Sequence, residues 1–236
     1  AVMDKPLRAK AAVACGADLV VELPTTVSLS SAEGFAAGGV GILSKLCDTL
    51  CFGAETGEAE LLMETARALL SEDFSPLLRR ELDGGKSFPA ARADALAQMG
   101  LSGEILRRPN DILAVEYCKA ILELGAALVP IPLPRQGANH GEALNGNVQF
   151  ASASALRALW TQQGVEALRP YVPEAVFPLY QEAAAAGSST DFSAAGRCEL
   201  ALLRTRCTGE TPFANVRGVS EGLEHRLGKA VRARTP

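Results

Sequence analysis

Residues 49–53 read Thr-Leu-Cys-Phe-Gly, and 127–135 read Ala-Leu-Val-Pro-Ile-Pro-Leu-Pro-Arg. The first is a short apolar run cut off by Gly53, the spacing of a buried strand that ends in a turn. The second is a strand candidate over Ala127–Ile131 that runs into a proline-bracketed exit. Upstream, Asp18–Leu23 (DLVVEL) is a third β-branched run, closed by Pro24. Between these runs the apolar residues follow helical spacing. Helices are predicted over Lys5–Cys15, Ser31–Leu46 and Glu58–Leu70. Two more flank Gly84-Gly85 within Phe74–Met99, and others cover Asn110–Leu124 and Ser152–Gln162. Strand and helix in alternation predict an α/β fold with a parallel sheet. Past about Tyr171 the strand signals stop. Helix candidates at Glu174–Ala186, Ala194–Arg206 and Val219–Arg232 predict a helical region. The expected division is therefore a sheet-bearing domain over 1–170 and a smaller helical, basic region over 171–236. The chain opens on a helix with no strand before it, which reads as an internal point of a longer protein.

Composition narrows the function classes. Of the 236 residues 48% are apolar but only 5% aromatic, so the core must be mostly Ala, Leu and Val. No apolar run approaches the roughly 18 residues of a membrane span, and the charged start does not read as a signal peptide. The six cysteines form no CxxC pair and only two histidines occur, so no metal site is expected. Free, buried thiols, with Cys47 and Cys51 near a helix end, fit a reduced cytoplasmic protein. The net charge is −4, yet residues 193–236 hold eight Lys/Arg against four acids. A basic tail on an acidic body permits nucleic-acid contact, and it is equally a solvated helical surface.

In open α/β sheets ligands bind at the carboxyl ends of the strands. Gly53 there lets a ligand approach the backbone, or is a turn glycine. Arg135 can pair with phosphate in fork geometry, or form a surface salt bridge. Asn110 is a helix N-cap, a hydrogen-bonding group for a base or ribose, or both. Ser152 or Ser154 can cap the next helix. Arg157 lies in its first turns, where a bound anion would relieve the conflict between cation and helix dipole. His140 sits in a loop and is assigned either exposure or a contact to RNA or a phosphate. His225 is assigned no role.

The blocks DKPLRAKAAVACGADLVVELP, SAEGFAAGGVGIL, CFGAETG, GGKSFPAARADAL, RPNDILAVEYCKAI and FASASALR occur in that order, with VSEGLEHRLGKAV near the end. Together they resemble the tRNA(Met) cytidine acetate ligases of the HIGH-type nucleotidyltransferase superfamily. FASASALR also resembles the superfamily's Ser-Ser-Thr-x-x-Arg signature. The resemblance implies a Rossmann-like ATP-binding domain and a two-step reaction. ATP, with Mg2+ as counter-ion, and acetate give acetyl-adenylate. The acetyl group then passes to the wobble cytidine of elongator tRNA(Met). ATP contacts are implied at Gly53, Asn110 and Arg135, and Ser152, Ser154 and Arg157 join them as triphosphate candidates. The family often carries a second Asn after Asn110, where this chain has Asp111. Candidate tRNA contacts are Arg226, Lys229, Arg232 and Arg234. No catalytic residue is expected in the chain, because the family's His-x-Gly-His lies upstream, and these residues alone are expected to be inactive. The competing expectations are a small-molecule adenylyltransferase of the same superfamily and a non-catalytic RNA-binding remnant.

Overall fold

The computed structural model describes residues 3–135, 151–188, 192–209, 212–216, 218–219 and 222–233. The chain forms two compact units. One is Val21–Gly137, and the other combines Ala1–Val20 with Ala138–Pro236.

In the first unit β1 (Thr49–Ala54) and β2 (Val129–Pro134) pair in parallel, with Thr49 opposite Val129 and Ala54 opposite Pro134. Both were predicted, and β2 begins two residues later than expected and continues through its prolines. The spacing of those prolines has a consequence. The N–H groups of Val129 and Arg135, which bracket β2 in phase, donate to Asp48 and Ala54 on the β1 side, both at 2.9 Å. Pro130, Pro132 and Pro134 fall on the alternate positions, which face the other way. Proline has no N–H, so β2 offers no donor on its far side and reads as a closed edge.

The inward residues of β1, Leu50, Phe52 and Ala54, enter the core. There they meet α3 (Ala32–Leu43), α4 (Ala59–Leu70) and α7 (Pro109–Glu123). Ala36, Val40, Leu62, Ala66, Ala114, Val115 and Cys118 are fully or almost fully buried. Small residues dominate this list, and α3 lies against α7 with Gly39 beside the Tyr117 ring. Phe52 and Tyr117 supply the aromatic contact, with ring centroids 5.3 Å apart. Helices α5 (Phe74–Asp83) and α6 (Phe88–Gln98) pack against each other across the Gly84-Gly85 turn, with Gln98 at the end of α6 bonded to Glu81 near the end of α5. A buried charge cluster ties the helices together. Glu116 takes Arg92 at 2.5 Å and Lys119 at 2.9 Å, and Lys119 reaches Glu33 at 3.0 Å.

The expected strand Asp18–Leu23 is not one. The run continues without a ladder from the turn after α1 (Lys5–Ala14) to α2 (Thr25–Ser28). Leu19 is 66% exposed, and Val20 and Val21 remain more than two-fifths exposed. A strand is made by a hydrogen-bonded neighbour about 4.8 Å away, and apolar sequence alone does not supply one. Here Val21 and Leu23 line a cavity of about 240 Å3 whose other wall includes Leu50 and Cys51 of β1. Their side chains face β1 across this space, and no backbone ladder joins them.

The second unit is helical. It contains α1, α8 (Ala153–Gln163), α9 (Phe177–Ala185), α10 (Phe192–Arg206) and α11 (Leu223–Arg232). Trp160 of α8 meets Tyr180 of α9 edge-on, with ring centroids 6.2 Å apart. The Arg169 guanidinium lies 5.3 Å from the centre of the Phe177 ring. Arg204 closes α11 by donating to the carbonyls of Val231 and Ala233 at 3.0 and 2.6 Å.

All six cysteines are free, but the expectation of burial fails for Cys47 and Cys51, which are exposed. Cys51 sits on the outward phase of β1, and Cys47 follows the last turn of α3. Only Cys118 is buried, and burial pushes its thiol pKa up to about 12. No helix among the described residues is long and apolar enough to cross a membrane.

Candidate functional site

Three of the predicted residues gather at the carboxyl end of the two-stranded sheet. Gly53 is the fifth residue of β1, and Arg135 follows β2 with its N–H on the Ala54 carbonyl. A methyl group built on Gly53 would lie 3.7 Å from the Arg135 Cγ, an ordinary contact. The backbone of Gly53 is not in the left-handed region either. Nothing in the fold therefore demands glycine at this position. Gly57 is the contrast, since a methyl group there would come within 2.8 Å of Pro134 Cγ. The bare Gly53 leaves open space beside an exposed Arg135, whose guanidinium has no ion-pair partner among the described residues. A glycine without a packing reason next to an unpaired guanidinium suits the close approach of an anionic ligand.

Asn110 joins them through Glu55. It is the second residue of α7 rather than its N-cap, because Pro109 begins the helix and Arg108 precedes it. Proline is favoured at the first helical position, where its missing N–H would be unpaired anyway, so the helix starts two residues earlier than the cap reading required. The orphan N–H of Asp111 is satisfied from another loop, by Glu55 Oε2 at 2.8 Å. Glu55 Oε1 accepts from Asn110 Nδ2 at 2.6 Å. Asp111 answers in the opposite direction. Its Oδ1 accepts the N–H groups of Glu55 and Thr56 at 2.9 and 2.8 Å. Its Oδ2 takes the Thr56 hydroxyl at 2.8 Å and Arg108 Nε at 2.9 Å. Each carboxylate thus holds the backbone of the segment that carries the other.

Glu55, Thr56, Arg108 and Asp111 were not singled out in the sequence. Their signal was a carboxylate two residues past a strand-ending glycine, followed by an acid in the first turn of a later helix. Burial pushes the Glu55 carboxyl up, but the Asn110 amide and the Asp111 N–H, with nearby backbone donors, outweigh it. The net shift is downward. A carboxyl depressed in the folded state contributes stability above its unfolded value, and that contribution is lost as pH falls through the folded value. Glu55 is therefore charged at neutral pH, and the stability its carboxylate contributes is lost only in acid.

Ser152, Ser154 and Arg157 belong to the second unit. Ser152 caps α8 as predicted, accepting the Ala155 N–H at 3.2 Å, and its hydroxyl lies 3.0 Å from that of Ser154. Arg157 is exposed on the same helix, beside Thr161 and Gln162. Of the tail residues, Arg226 and Lys229 are exposed on α11. Arg232 is exposed too, yet its guanidinium donates to the Gly209 carbonyl at 2.8 Å, so part of its fork is committed within the protein. Arg234 and His140 lie outside the described residues. His225 lies 3.6 Å from Glu224. No cluster of three metal-ligating side chains occurs among the described residues.

A parallel sheet flanked by helices, with a crevice at its strand ends, defines an α/β protein of the Rossmann-like class. A family model for the HIGH nucleotidyl transferases matches residues 1–235, and the chain belongs to that family. Within it the chain is similar over nearly its whole length to tRNA(Met) cytidine acetate ligases. The ligase of Caldanaerobacter subterraneus subsp. tengcongensis is 34% identical over 98% of this chain and 58% of its own length. That of Clostridium novyi is 36% identical over 75% of the chain and 46% of its own length. Among solved structures, Thermotoga maritima TmcAL in its apo form superposes with a TM-score of 0.89 at 32% identity. The same protein bound with alpha-thio ATP gives 0.86 at 31% identity. This chain covers 58% and 57% of those two chains. It therefore spans about half the length of the relatives it matches.

Proposed function

We propose that this chain carries the ATP-binding part of an acetate ligase that modifies elongator tRNA(Met). The observation that carries the reading is Arg135, without an ion-pair partner among the described residues, beside a glycine that the fold does not require, at the strand ends. In the proposed first step the carboxylate of acetate attacks the α-phosphorus of ATP. The bond to the β-phosphate breaks, and pyrophosphate leaves with the electron pair. In the second step the exocyclic amine of the wobble cytidine attacks the acetyl carbon, AMP leaves, and the amine loses a proton.

Arg135 would hold phosphate oxygens, Gly53 would let the nucleotide reach the β1 backbone, and Asn110 would hydrogen-bond its nucleoside. Ser152, Ser154 and Arg157 at the α8 start remain the proposed triphosphate contacts on the second unit. Mg2+ would travel with the triphosphate, whose oxygens suit it, rather than in a protein cage. The names of the relatives and the ATP analogue bound by the Thermotoga protein support this assignment. We assign no catalytic group to the chain. The decisive experiment is acetate-dependent ATP–pyrophosphate exchange by the natural protein, followed by transfer of labelled acetate to tRNA. Exchange that needs nicotinate mononucleotide or phosphopantetheine in place of acetate would move the chain to the adenylyltransferases.

tRNA would be held by the basic face of α11, chiefly Arg226 and Lys229. Each phosphate neutralised on a duplex adds about −0.9 to the salt slope. Replacing both residues by glutamine should flatten that slope by about 1.8 units in filter-binding titrations. Binding with an unchanged slope would take the tRNA contact away from this helix.

A further inference from the structure

The orientation of the Asn110 amide is fixed by its neighbour. Glu55 is a carboxylate at neutral pH and can only accept, so Asn110 turns its NH2 toward Glu55 Oε1, 2.6 Å away. The Asn110 carbonyl oxygen must then face away from Glu55. It accepts no hydrogen bond from the described residues. Glu55 cannot swing aside, because its other oxygen holds the Asp111 N–H at 2.8 Å. Its own backbone N–H is held by Asp111 Oδ1 at 2.9 Å. Asp111 is fully buried and is fixed in turn by Thr56 and Arg108.

We infer that Glu55 and Asp111 are positioning residues that present the Asn110 carbonyl oxygen to the ligand, so that Asn110 recognises a hydrogen-bond donor on the nucleoside. The donor is a ribose hydroxyl or the exocyclic amine of adenine. The inference rests on the reading of the strand-end site as an ATP site, and it adds the polarity of the recognition and the residues that set it. The clasp leaves no freedom for the amide to turn over, so a ligand offering only an acceptor at this point meets a like partner. The cost of such a mismatch is that of an unpaired polar group.

The polarity can be inverted without changing the shape of the site. In Glu55→Gln the new amide satisfies the Asp111 N–H with its oxygen and turns its NH2 toward Asn110. The Asn110 amide then flips to accept that NH2 and shows its own NH2 to the ligand.

The experiment is calorimetric binding of ATP, 2′-deoxy-ATP, 3′-deoxy-ATP and purine riboside triphosphate, which lacks the 6-amino group. The proteins are the 236-residue chain, Asn110→Ala and Glu55→Gln, each with its thermal melting curve. The wild-type chain should bind one of the three analogues about three- to ten-fold more weakly than ATP, the range of one hydrogen bond. That analogue identifies the donor. Asn110→Ala should lose the discrimination. Glu55→Gln should lose it where the donor is the exocyclic amine, and should keep it where the donor is a ribose hydroxyl, which can accept from the flipped amide. Glu55→Gln should keep its melting curve.

Equal weakening of all four nucleotides in Glu55→Gln would make Glu55 merely structural and overturn the inference. So would analogue ratios in Asn110→Ala that match the wild type. In either case ATP binding by the wild-type chain would leave the ATP-site reading standing. Absence of ATP binding by the wild-type chain would remove the ATP-site reading itself, and this inference with it. If Glu55→Gln fails to fold, Asn110→Ala decides alone, because the inference requires it to lose the discrimination.

Discussion

Asp111→Ala should destabilise the protein by about 3–5 kcal/mol, the range for removing one partner of a buried ionic network. The carboxylate is fully buried and accepts from four donors: two backbone N–H groups, the Thr56 hydroxyl and the Arg108 guanidinium. Alanine leaves the N–H groups of Glu55 and Thr56 without their acceptor, and each such loss costs about 1–3 kcal/mol. Arg108 moderates the loss, because its side chain is 44% exposed and can return to water. Against a total stability of roughly 5–15 kcal/mol for a protein of ordinary stability, the variant should unfold at a much lower urea concentration. The slope of the transition should stay the same. Asp111→Asn keeps the shape and one acceptor oxygen for the two N–H groups but places an NH2 against Thr56 and Arg108. It should fall between alanine and wild type. A midpoint for Asp111→Ala within about 1 kcal/mol of wild type would show that the clasp does not hold β1 to α7.

Arg135→Ala should weaken ATP binding by roughly 1.5–3 kcal/mol, the usual value of a hydrogen bond to a charged group. That is a fall in affinity of about ten- to more than a hundred-fold. The fold should be indifferent to the change, because the side chain is exposed and makes no ion pair with the described residues. Arg135→Lys should restore only part of the affinity, since an ammonium keeps the charge but loses the planar fork. Gly53→Val is the companion test from the other side. It would place branched carbons in the space beside Arg135 and should reduce ATP affinity by a similar factor while the melting temperature holds. Affinity unchanged in both variants would leave Arg135 as an ordinary surface cation.

Local sequence was enough for the helices and for the two paired strands, because 3.6-residue periodicity and apolar runs cut by glycine report burial directly. It was enough for Ser152 as well, because a helix cap is made within three residues of chain. The strand-end rule singled out Gly53 and Arg135, and a helix start after Pro109 singled out Asn110; the fold brings the three to one end of the sheet. What sequence misjudged was whatever depends on a distant partner. Asp18–Leu23 has the composition of a strand, but a ladder needs a neighbour, and the described structure places a cavity between its side chains and β1. Cys47 and Cys51 have the character of core residues, but the phase of β1 and the last turn of α3 turn them outward. Arg232 looks like a free surface cation until the fold brings the Gly209 carbonyl to it. The clasp was least legible of all. Glu55 and Asp111 stand 56 residues apart, and the local signal of each, an acid just past a strand end or in a helix's first turn, does not reveal the other. Only tertiary structure, by closing the β1 exit onto the start of α7, turns two ordinary acids into a reciprocal pair that fixes one amide.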